Sequence, residues 1–200
     1  MSGREMSICR STKETVIRAK LNIDGIGRAK VSTGFPFLDH CVESLALHAA
    51  FDLELDVESD RPDLHHVAED VGWTLGELLR TCCSKGDSVT GEPVCIQRFG
   101  WAAIPFDEVL AFCSVDLVGR TGCYFQSSDH SHNHDVAQFF QGFCMGSAAT
   151  LHIRILQEGN LHHELECAFK AVGRVLRQAV ATDSVLKEMS MKGSVEYEMP

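Results

Sequence analysis

The alternation of apolar and polar residues predicts the same succession of elements in each half of the chain. In the first half it indicates strands over 15–23 and 29–33, a helix over 39–49, a strand over 51–58 and a helix over 65–82. In the second half it indicates strands over 107–117, 123–126 and 150–156 and helices over 136–146 and 162–180. In each half the first two strands are interpreted as a β-hairpin, because a glycine-containing turn joins them.

The register of individual residues supports a duplication. Glu14 recurs as Glu108 after 94 positions, Leu53 as Leu151 after 98, and His65 as His162 after 97. Offsets that differ by so little correspond to short loop changes between repeated units. The sequence therefore predicts an α+β fold in which a unit is internally duplicated. Each half, 1–92 and 93–200, is expected to be a mostly antiparallel sheet with two helices on one face, the halves being pseudo-twofold related and packed as one compact unit.

Composition narrows the class of protein. The chain has 200 residues, 44% of them hydrophobic, and a formal net charge of −10, which argues against nucleic acid or an anionic membrane as the main partner. Its nine cysteines are odd in number and form no C-x-x-C pair, so we expect reduced, mostly buried thiols. Because there is no apolar leader and no run of about 18 apolar residues, we expect a soluble, cytoplasmic protein.

The candidate chemistry lies in a His-His-x-x-Glu pattern that occurs twice, at 65–69 and at 162–166. Residues four apart share one face of a helix, so His65 and Glu69 could meet one ion, whereas His66 points about 100° away. Two metal ions, or one metal ion and one substrate contact, would account for adjacent histidines. Four imidazoles and two carboxylates suit Mn, Zn, Fe, Co or Ni better than Ca or Mg. One copy alone could be a solvated or capping feature, but two copies in register favour a metal site.

Ordered segments along nearly the whole chain resemble a known family, the imidazoleglycerol-phosphate dehydratases of histidine biosynthesis. They include Gly34-Phe35-Pro36-Phe37-Leu38-Asp39-His40, Asp63-x-His65-His66-x-x-Glu69-Asp70, Arg98-Phe99-Gly100, Asp116-Leu117-x-Gly119-Arg120, Gly159-Asn160-x-His162-His163-x-x-Glu166 and Ser190-x-Lys192-Gly193. Asp39, within the first of them, is expected to be the N-cap of the first helix.

The resemblance implies an enzyme that removes water from imidazoleglycerol phosphate to give imidazoleacetol phosphate. It implies two Mn(2+) ions and a homo-oligomer built from trimers into a 24-subunit shell, with sites between subunits. A metal-bound imidazole can delocalise the charge that develops as a C–H proton and then hydroxide leave. The residues that the resemblance assigns fall into three sets. The metal ligands are His40, His65, His66, Glu69, His162, His163 and Glu166. The catalytic residues are Glu14, as the acid/base, His40, Glu166 and Lys170, and the phosphate-binding residues are Arg98, Arg120, Ser190 and Lys192.

Several positions depart from the family pattern. Gln138 stands where both the family and the internal repeat of His40 predict a histidine that would be the eighth metal ligand. An amide oxygen binds Mn or Zn more weakly than imidazole does, so we expect one metal ion to be held less tightly. Ser44 replaces a glutamine of the family's active site. His134 could substitute for the missing ligand or be an ordinary loop histidine, and the roles of His130 and His132 are open.

Three functions are consistent with these residues. The first is the family's dehydration, with an activity that Gln138 and Ser44 would reduce. The second is a catalytically impaired homologue that keeps the metal-binding assembly. The third is a dinuclear metal hydrolase that acts on a phosphoester, for which the same ligands would serve. The retained Glu14, both His-His pairs and the basic residues favour the first.

Overall fold

The computed structural model describes residues 3–60, 62–85, 95–127 and 135–186. In the first half, the elements are β1 (Glu5–Ser11), β2 (Val16–Asn22), β3 (Ala29–Ser32), α1 (Pro36–Ala49), β4 (Asp52–Glu58) and α2 (Leu64–Ser84). In the second half they are β5 (Phe99–Phe106), β6 (Val109–Asp116), β7 (Gly122–Gln126), α3 (Gln138–Ser147), β8 (Thr150–Gln157) and α4 (Leu161–Ala179), with one 3-10 turn, Asp135–Ala137, directly before α3. The proposed boundary between 92 and 93 falls outside the described residues.

Each half forms one four-stranded mixed sheet, and the two sheets have the same strand order. The orders are β1-β2-β4-β3 and β5-β6-β8-β7. In both, the first three strands pair antiparallel and the last pairs parallel. Helices α1 and α3 also end alike, on Ala50 and Ala148 with left-handed backbones. The predicted α+β duplication is therefore confirmed.

The predicted hairpins are wrong in their pairing. The strand β3 does not lie beside β2; it pairs parallel with β4, which separates the two. The turn-like segment after β2 instead crosses the end of β4, where the Asp52 carboxylate accepts hydrogen bonds from the backbone N–H groups of Ile26 and Arg28, both at 2.9 Å. In the second half β7 likewise pairs with β8 and not with β6. The antiparallel hairpins of consecutive strands are β1–β2 and β5–β6, and the first strand of each was not predicted.

The helix starts that carry the His-His pairs are capped by side chains. Asp63 accepts a hydrogen bond from the backbone N–H of His66 at 3.2 Å, and Asn160 accepts one from that of His162 at 2.9 Å. The predicted N-cap of α1 is wrong: that helix begins at Pro36, and Asp39 lies in its first turn, where it accepts a bond from the backbone N–H of Thr33 at 2.8 Å. Proline suits such a first position because its missing N–H would have no helical partner.

The helices of the two halves pack against one another, while each sheet contacts the helices of its own half. Helix α2 packs on α3, and α4 packs on α1. Exchanging the halves converts one of these pairs into the other, as a twofold axis requires. The apolar faces of both sheets and of all four helices bury one continuous core. Helix pairing between halves therefore brings the start of α4 to α1 and the start of α2 to the turn before α3.

Glycines allow α2 and α3 to approach until their backbones touch. A Cβ placed on Gly142 would lie 2.0 Å from the backbone oxygen of Glu69, and one on Gly72 would lie 2.1 Å from that of Phe139. Neither neighbour is a flexible side chain, so the helices themselves would have to separate. The backbone of Glu69, a predicted metal ligand, is thus held by direct contact with α3.

Gly142→Ala is expected to lower the free energy of unfolding by about 2 kcal/mol. Alanine favours a helix over glycine by about 1 kcal/mol, but overpacking against the Glu69 carbonyl costs about 3 kcal/mol. Chemical denaturation followed by circular dichroism measures the difference. Gln141→Ala, at the exposed neighbouring position, is the matched control and should change stability by less than about 0.5 kcal/mol. Equal stability of Gly142→Ala and the native chain would contradict the backbone contact.

All nine cysteines lie in the described residues and are free, and five of them are buried, as predicted. None of the helices in the described part of the chain combines the length and the apolar character that crossing a membrane requires.

Candidate active site

Glu14 and His66 meet at the end of the first sheet. Glu14 lies in the turn between β1 and β2, and His66 lies in the first turn of α2. A Glu14 carboxylate oxygen is 3.6 Å from His66 Nδ1, and both side chains are more than half exposed. They line a cleft of about 400 Å³ together with Lys13, Thr15 and Asp63. A carboxylate beside an imidazole at an open cleft can exchange a proton with a bound molecule.

His65 faces away from this cleft, as the helix geometry predicts for adjacent residues. Its Nδ1 atom is 3.6 Å from an Asp135 carboxylate oxygen in the 3-10 turn before α3. Glu69 is half-buried one turn further along α2. In the part of the chain that the structure describes, no ion pair joins Glu69 to a histidine.

Around Glu166 the structure gathers four of the predicted site residues. Glu166 Oε1 is 3.1 Å from His40 Nε2 and 2.9 Å from Lys170 Nζ, and its Oε2 is 3.9 Å from His162 Nε2. His40 belongs to α1 and the other three to α4, so the packing of α1 on α4 assembles this cluster. The His162 ring stacks on Phe37, with 4.3 Å between ring centroids.

Glu166 is charged although its residue is only 8% exposed. Burial raises the pKa of its carboxyl group, but hydrogen bonds from Lys170 and His40 outweigh burial and hold the pKa below its ordinary value. Lys170 also lies over the Phe106 ring, 3.3 Å from its centroid. The cluster thus offers an ionised carboxylate and two imidazoles, a donor set that suits Mn, Zn or Fe.

His163 binds Glu108, the counterpart of Glu14 in the repeat. The Glu108 oxygens lie 3.1 and 3.0 Å from His163 Nδ1, and one also accepts the backbone N–H of Asn160 at 2.9 Å. The Asn160 N–H, the backbone N–H of Glu108 itself and His163 together lower the pKa of Glu108 to about 2. Asp107, Glu108 and His163 form a group of potential metal ligands whose donor atoms all lie within 4.8 Å of one another. Among the described residues, this is the one such group of three or more side chains. Of the predicted ligands, only His163 belongs to that group.

Arg98 and Arg120 share one acidic partner. Two guanidinium nitrogens of Arg98 bind the Asp116 carboxylate at 2.7 and 3.0 Å, and Arg120 reaches it at 3.4 Å. The bonds to Asp116 raise the pKa of Arg98 above its ordinary value. The Arg120 side chain is 71% exposed and that of Arg98 17%, so Arg120 is the more accessible of the two cations.

Comparison with known proteins connects this geometry to one family. The family model of imidazoleglycerol-phosphate dehydratase matches residues 33–176, which span all the clusters described above except the turn that carries Glu14. The chain belongs to the imidazoleglycerol-phosphate dehydratase family.

Curated relatives named imidazoleglycerol-phosphate dehydratase agree along nearly the whole chain. The protein of Aromatoleum aromaticum is 42% identical over 90% of this chain and 92% of its own length, and that of Marinobacter nauticus is 39% identical over 92% and 93%. The crystal structure of IGPD from Pyrococcus furiosus in complex with (S)-C348 has a TM-score of 0.73 and 30% identity, and covers 94% of this chain and 100% of that one. The structure of imidazoleglycerol-phosphate dehydratase from Staphylococcus aureus has a TM-score of 0.73 at 27% identity, over 90% and 99% of the two chains. These relatives are hydro-lyases by name, and the chain is an enzyme of this family.

The position of the missing histidine differs from its counterpart in the other half of the chain. Gln138 is the first residue of α3 and is half-buried. His40 contacts Glu166, and the equivalent pair across α3 and α2 would be Gln138 and Glu69, which no hydrogen bond joins in the described region. Ser44 is buried in α1. The repeat is therefore asymmetric at the position of the proposed eighth ligand.

Sequence reasoning assigned no contact to several residues that adjoin the predicted site residues. Asp135, Asp116 and Phe37 each contact a predicted site residue. Asp135 lies 98 positions after Phe37, and Phe37 stacks on His162, the counterpart of His65. The repeat alone could therefore have predicted that Asp135 lies beside His65. Predicted residues that lie outside the described ranges are Ser190, Lys192, His130, His132 and His134.

Proposed function

We propose that this chain dehydrates imidazoleglycerol phosphate to imidazoleacetol phosphate. The observation that carries the proposal is the position of the Glu14 carboxylate 3.6 Å from His66 at an open cleft, in a chain of this family. In an elimination of water, one group must remove a proton from carbon and one must protonate the departing hydroxide. The accessible side chain of Glu14, which borders the first His-His pair, supports the proposal that Glu14 is this acid/base.

We also propose two Mn(2+) ions as cofactors. Seven residues would supply the ligands. Three of them, His40, His162 and Glu166, form the cluster around Glu166, and the other four are His65, His66, Glu69 and His163. The chemistry of the Glu166 cluster fits, because an ionised carboxylate and two imidazole nitrogens already converge there. A bound ion would polarise the substrate's imidazole and stabilise the negative charge that develops. Lys170 keeps Glu166 ionised, and Arg98, Arg120, Ser190 and Lys192 would bind the phosphate group.

An assay on imidazoleglycerol phosphate, with the protein metal-stripped and Mn(2+) then restored, tests this function. We expect turnover that requires the metal and a substrate bearing the phosphate group. Absence of turnover at every Mn(2+) concentration, in folded protein, would favour the catalytically impaired homologue that Gln138 suggests. Hydrolysis to free phosphate would instead indicate a phosphoesterase.

Gln138→His is expected to raise the affinity for the second metal ion by about 10- to 100-fold. Imidazole is a stronger ligand for these metals than an amide oxygen, and changes around a metal site are typically of this size. Elemental analysis and titration with Mn(2+) should give close to two ions per chain in the variant and fewer in the native protein. His134→Ala is compared in parallel. Equal stoichiometry and affinity in all three proteins would refute the weakened site.

A homo-oligomer built from trimers is part of the proposal, and the outer face of the second sheet supports self-association. On the second sheet, one row across the four strands reads Trp101, Ser114, His152 and Tyr124, with Trp101 69% exposed. The equivalent row on the first sheet reads Ser7, Lys20, Glu54 and Lys30. For a chain with a net charge of −10, copies meet most favourably through a row without carboxylates, and the row on the second sheet has none. The nine free cysteines agree with a reducing, cytoplasmic location.

Trp101→Glu is therefore expected to reduce the mass of the assembly. A carboxylate on the outer face of β5, the edge strand that carries Trp101, would be desolvated on contact with a second copy. Light scattering after size-exclusion chromatography measures the mass. Ser7→Glu, at the equivalent position of the charged face, is the control and should leave the mass unchanged. If both variants retain the native mass, the second sheet is not the interface.

A further inference from the structure

A partly buried network connects the Glu14 turn to α2. The Asp70 carboxylate binds Arg10 of β1, with 2.7 Å between Oδ1 and Nη1, and also accepts the hydroxyl hydrogen bond of Thr15. Thr15 is 2% exposed, and the side chains of Arg10 and Asp70 are 24% and 14% exposed. Asp70 follows Glu69 directly, so one helical turn of α2 carries both the network and a proposed metal ligand.

The second half of the chain shows that the fold does not require this network. At the equivalent positions it has Ile104 for Arg10, Val109 for Thr15 and Cys167 for Asp70. The strand registers are the same, since Arg10 pairs with Ile17 and Ile104 with Ala111, 94 positions later in each case. Cys167 Sγ simply donates to the Ile104 carbonyl at 3.2 Å. A strand pair packed on its helix therefore forms equally well without the charges, which points to a role for them beyond folding.

The two equivalent carboxylates are held in different ways. Glu108 is fixed directly, because it accepts bonds from the Asn160 N–H and from His163. Within the described ranges, the Glu14 carboxylate has His66 as its one close polar partner, at 3.6 Å. Its location therefore depends on the backbone of its turn.

Side-chain hydroxyls fix that backbone. Thr12 Oγ1 accepts the Glu14 N–H at 3.1 Å, and Ser59 Oγ donates to the Glu14 carbonyl at 2.7 Å. Thr15, the next residue, is the point at which the turn is bound to α2. A shift of the turn against α2 would move the Glu14 carboxylate relative to His66.

We propose that Asp70, together with Arg10 and Thr15, is a positioning residue that holds the Glu14 turn against α2. The network keeps the accessible Glu14 carboxylate at a constant distance from the histidines of that helix while leaving both its oxygens free of permanent hydrogen bonds. This inference rests on the acid/base role proposed for Glu14. On this proposal, the Arg10–Asp70 ion pair of the first half aligns a reacting group. The second half lacks the ion pair because Glu108 is bound directly.

Thr15→Val tests the positioning role in the full-length, Mn(2+)-loaded protein. The hydroxyl bond to Asp70 is lost, but the shape is kept, and the chain itself has valine at the equivalent Val109. We expect kcat for imidazoleglycerol phosphate to fall about 10- to 100-fold with KM within twofold, since a displacement of about 1 Å can have this effect. Thr15→Ser retains a hydroxyl and should keep kcat within threefold of native. Asp70→Asn, which removes the charge that binds Arg10, should lower kcat at least as much as Thr15→Val.

Arg18→Gln serves as the matched control, because Arg18 lies on β2, which begins directly after Thr15, and its exposed ion pair with Glu58 of β4 is remote from Asp70. It should leave kcat and KM unchanged. Native kcat in Thr15→Val, while Glu14→Gln is inactive, would overturn the positioning role and leave the proposed function intact. An equal loss in Thr15→Ser, accompanied by an equal fall in Tm, would show a merely structural role and also overturn it. A native enzyme without dehydratase activity would overturn both proposals.

Discussion

Glu14→Gln is expected to lower kcat for dehydration by about 10²- to 10⁴-fold, the usual contribution of a general acid or base. Glutamine fills the same space but can neither accept nor release a proton at neutral pH. The Glu14 side chain is 59% exposed and takes no part in the core, so stability should change by less than about 0.5 kcal/mol. Steady-state kinetics at saturating Mn(2+), with Tm measured on the same samples, gives both quantities.

Glu58→Gln is the matched control for Glu14→Gln. It removes the charge of another exposed carboxylate in the same sheet, whose partner is the exposed Arg18. This variant should retain native kcat. A Glu14→Gln enzyme whose kcat lies within threefold of native would exclude Glu14 as the acid/base and would require another group at the cleft to carry the proton.

The fold could be predicted where burial alone determines the pattern. Strands β2, β4 and β8 alternate clearly because one face packs on helices and the other is solvated. Strand β5 was missed because Trp101 and Pro105 face outward while Ile104 and Phe106 face the core, so apolar residues occupy both faces. Strand β1 was missed because its third inward position is Arg10, whose charge is compensated by Asp70 on a distant helix.

Strand pairing was predicted less well than strand location. Short-range turn signals favoured pairing β2 with β3, but β4 lies between them and its Asp52 binds the connecting segment. A contact between residues 26 positions apart leaves no periodic signal in a single sequence. The same limitation applies to β7.

The residues of the candidate site were easier to predict than their partners. The duplicated motifs identify both His-His pairs, and helical spacing correctly separates His65 from His66. It does not show that His66 meets Glu14 from another strand, or that His40 reaches Glu166 from the other half. These contacts depend on how α1 packs on α4 and how the first sheet packs on α2. Tertiary packing, which periodicity does not specify, therefore determines the chemistry.

Glu166→Gln is the second variant with a large expected effect, and it should reduce both metal content and stability. Glu166 is 8% exposed and binds Lys170 at 2.9 Å and His40 at 3.1 Å. An uncharged amide would leave the Lys170 ammonium, whose side chain is 17% exposed, without its carboxylate. Removing one partner of a buried ion pair typically costs about 3 kcal/mol. Denaturation of the metal-free protein measures this loss, and elemental analysis should show at least one Mn(2+) ion fewer per chain, with kcat lowered at least about 100-fold.

Glu69→Gln, the equivalent change in the first half, separates the two effects. Trp73 occupies the position that corresponds to Lys170, so no lysine one turn further along α2 loses a partner. This variant should therefore lose metal and activity while its metal-free form keeps a free energy of unfolding within about 1 kcal/mol of native. Equal destabilisation of the two variants would mean that the Lys170 contact contributes little. Full metal content in Glu166→Gln would exclude Glu166 as a ligand and leave it with a purely structural role between α1 and α4.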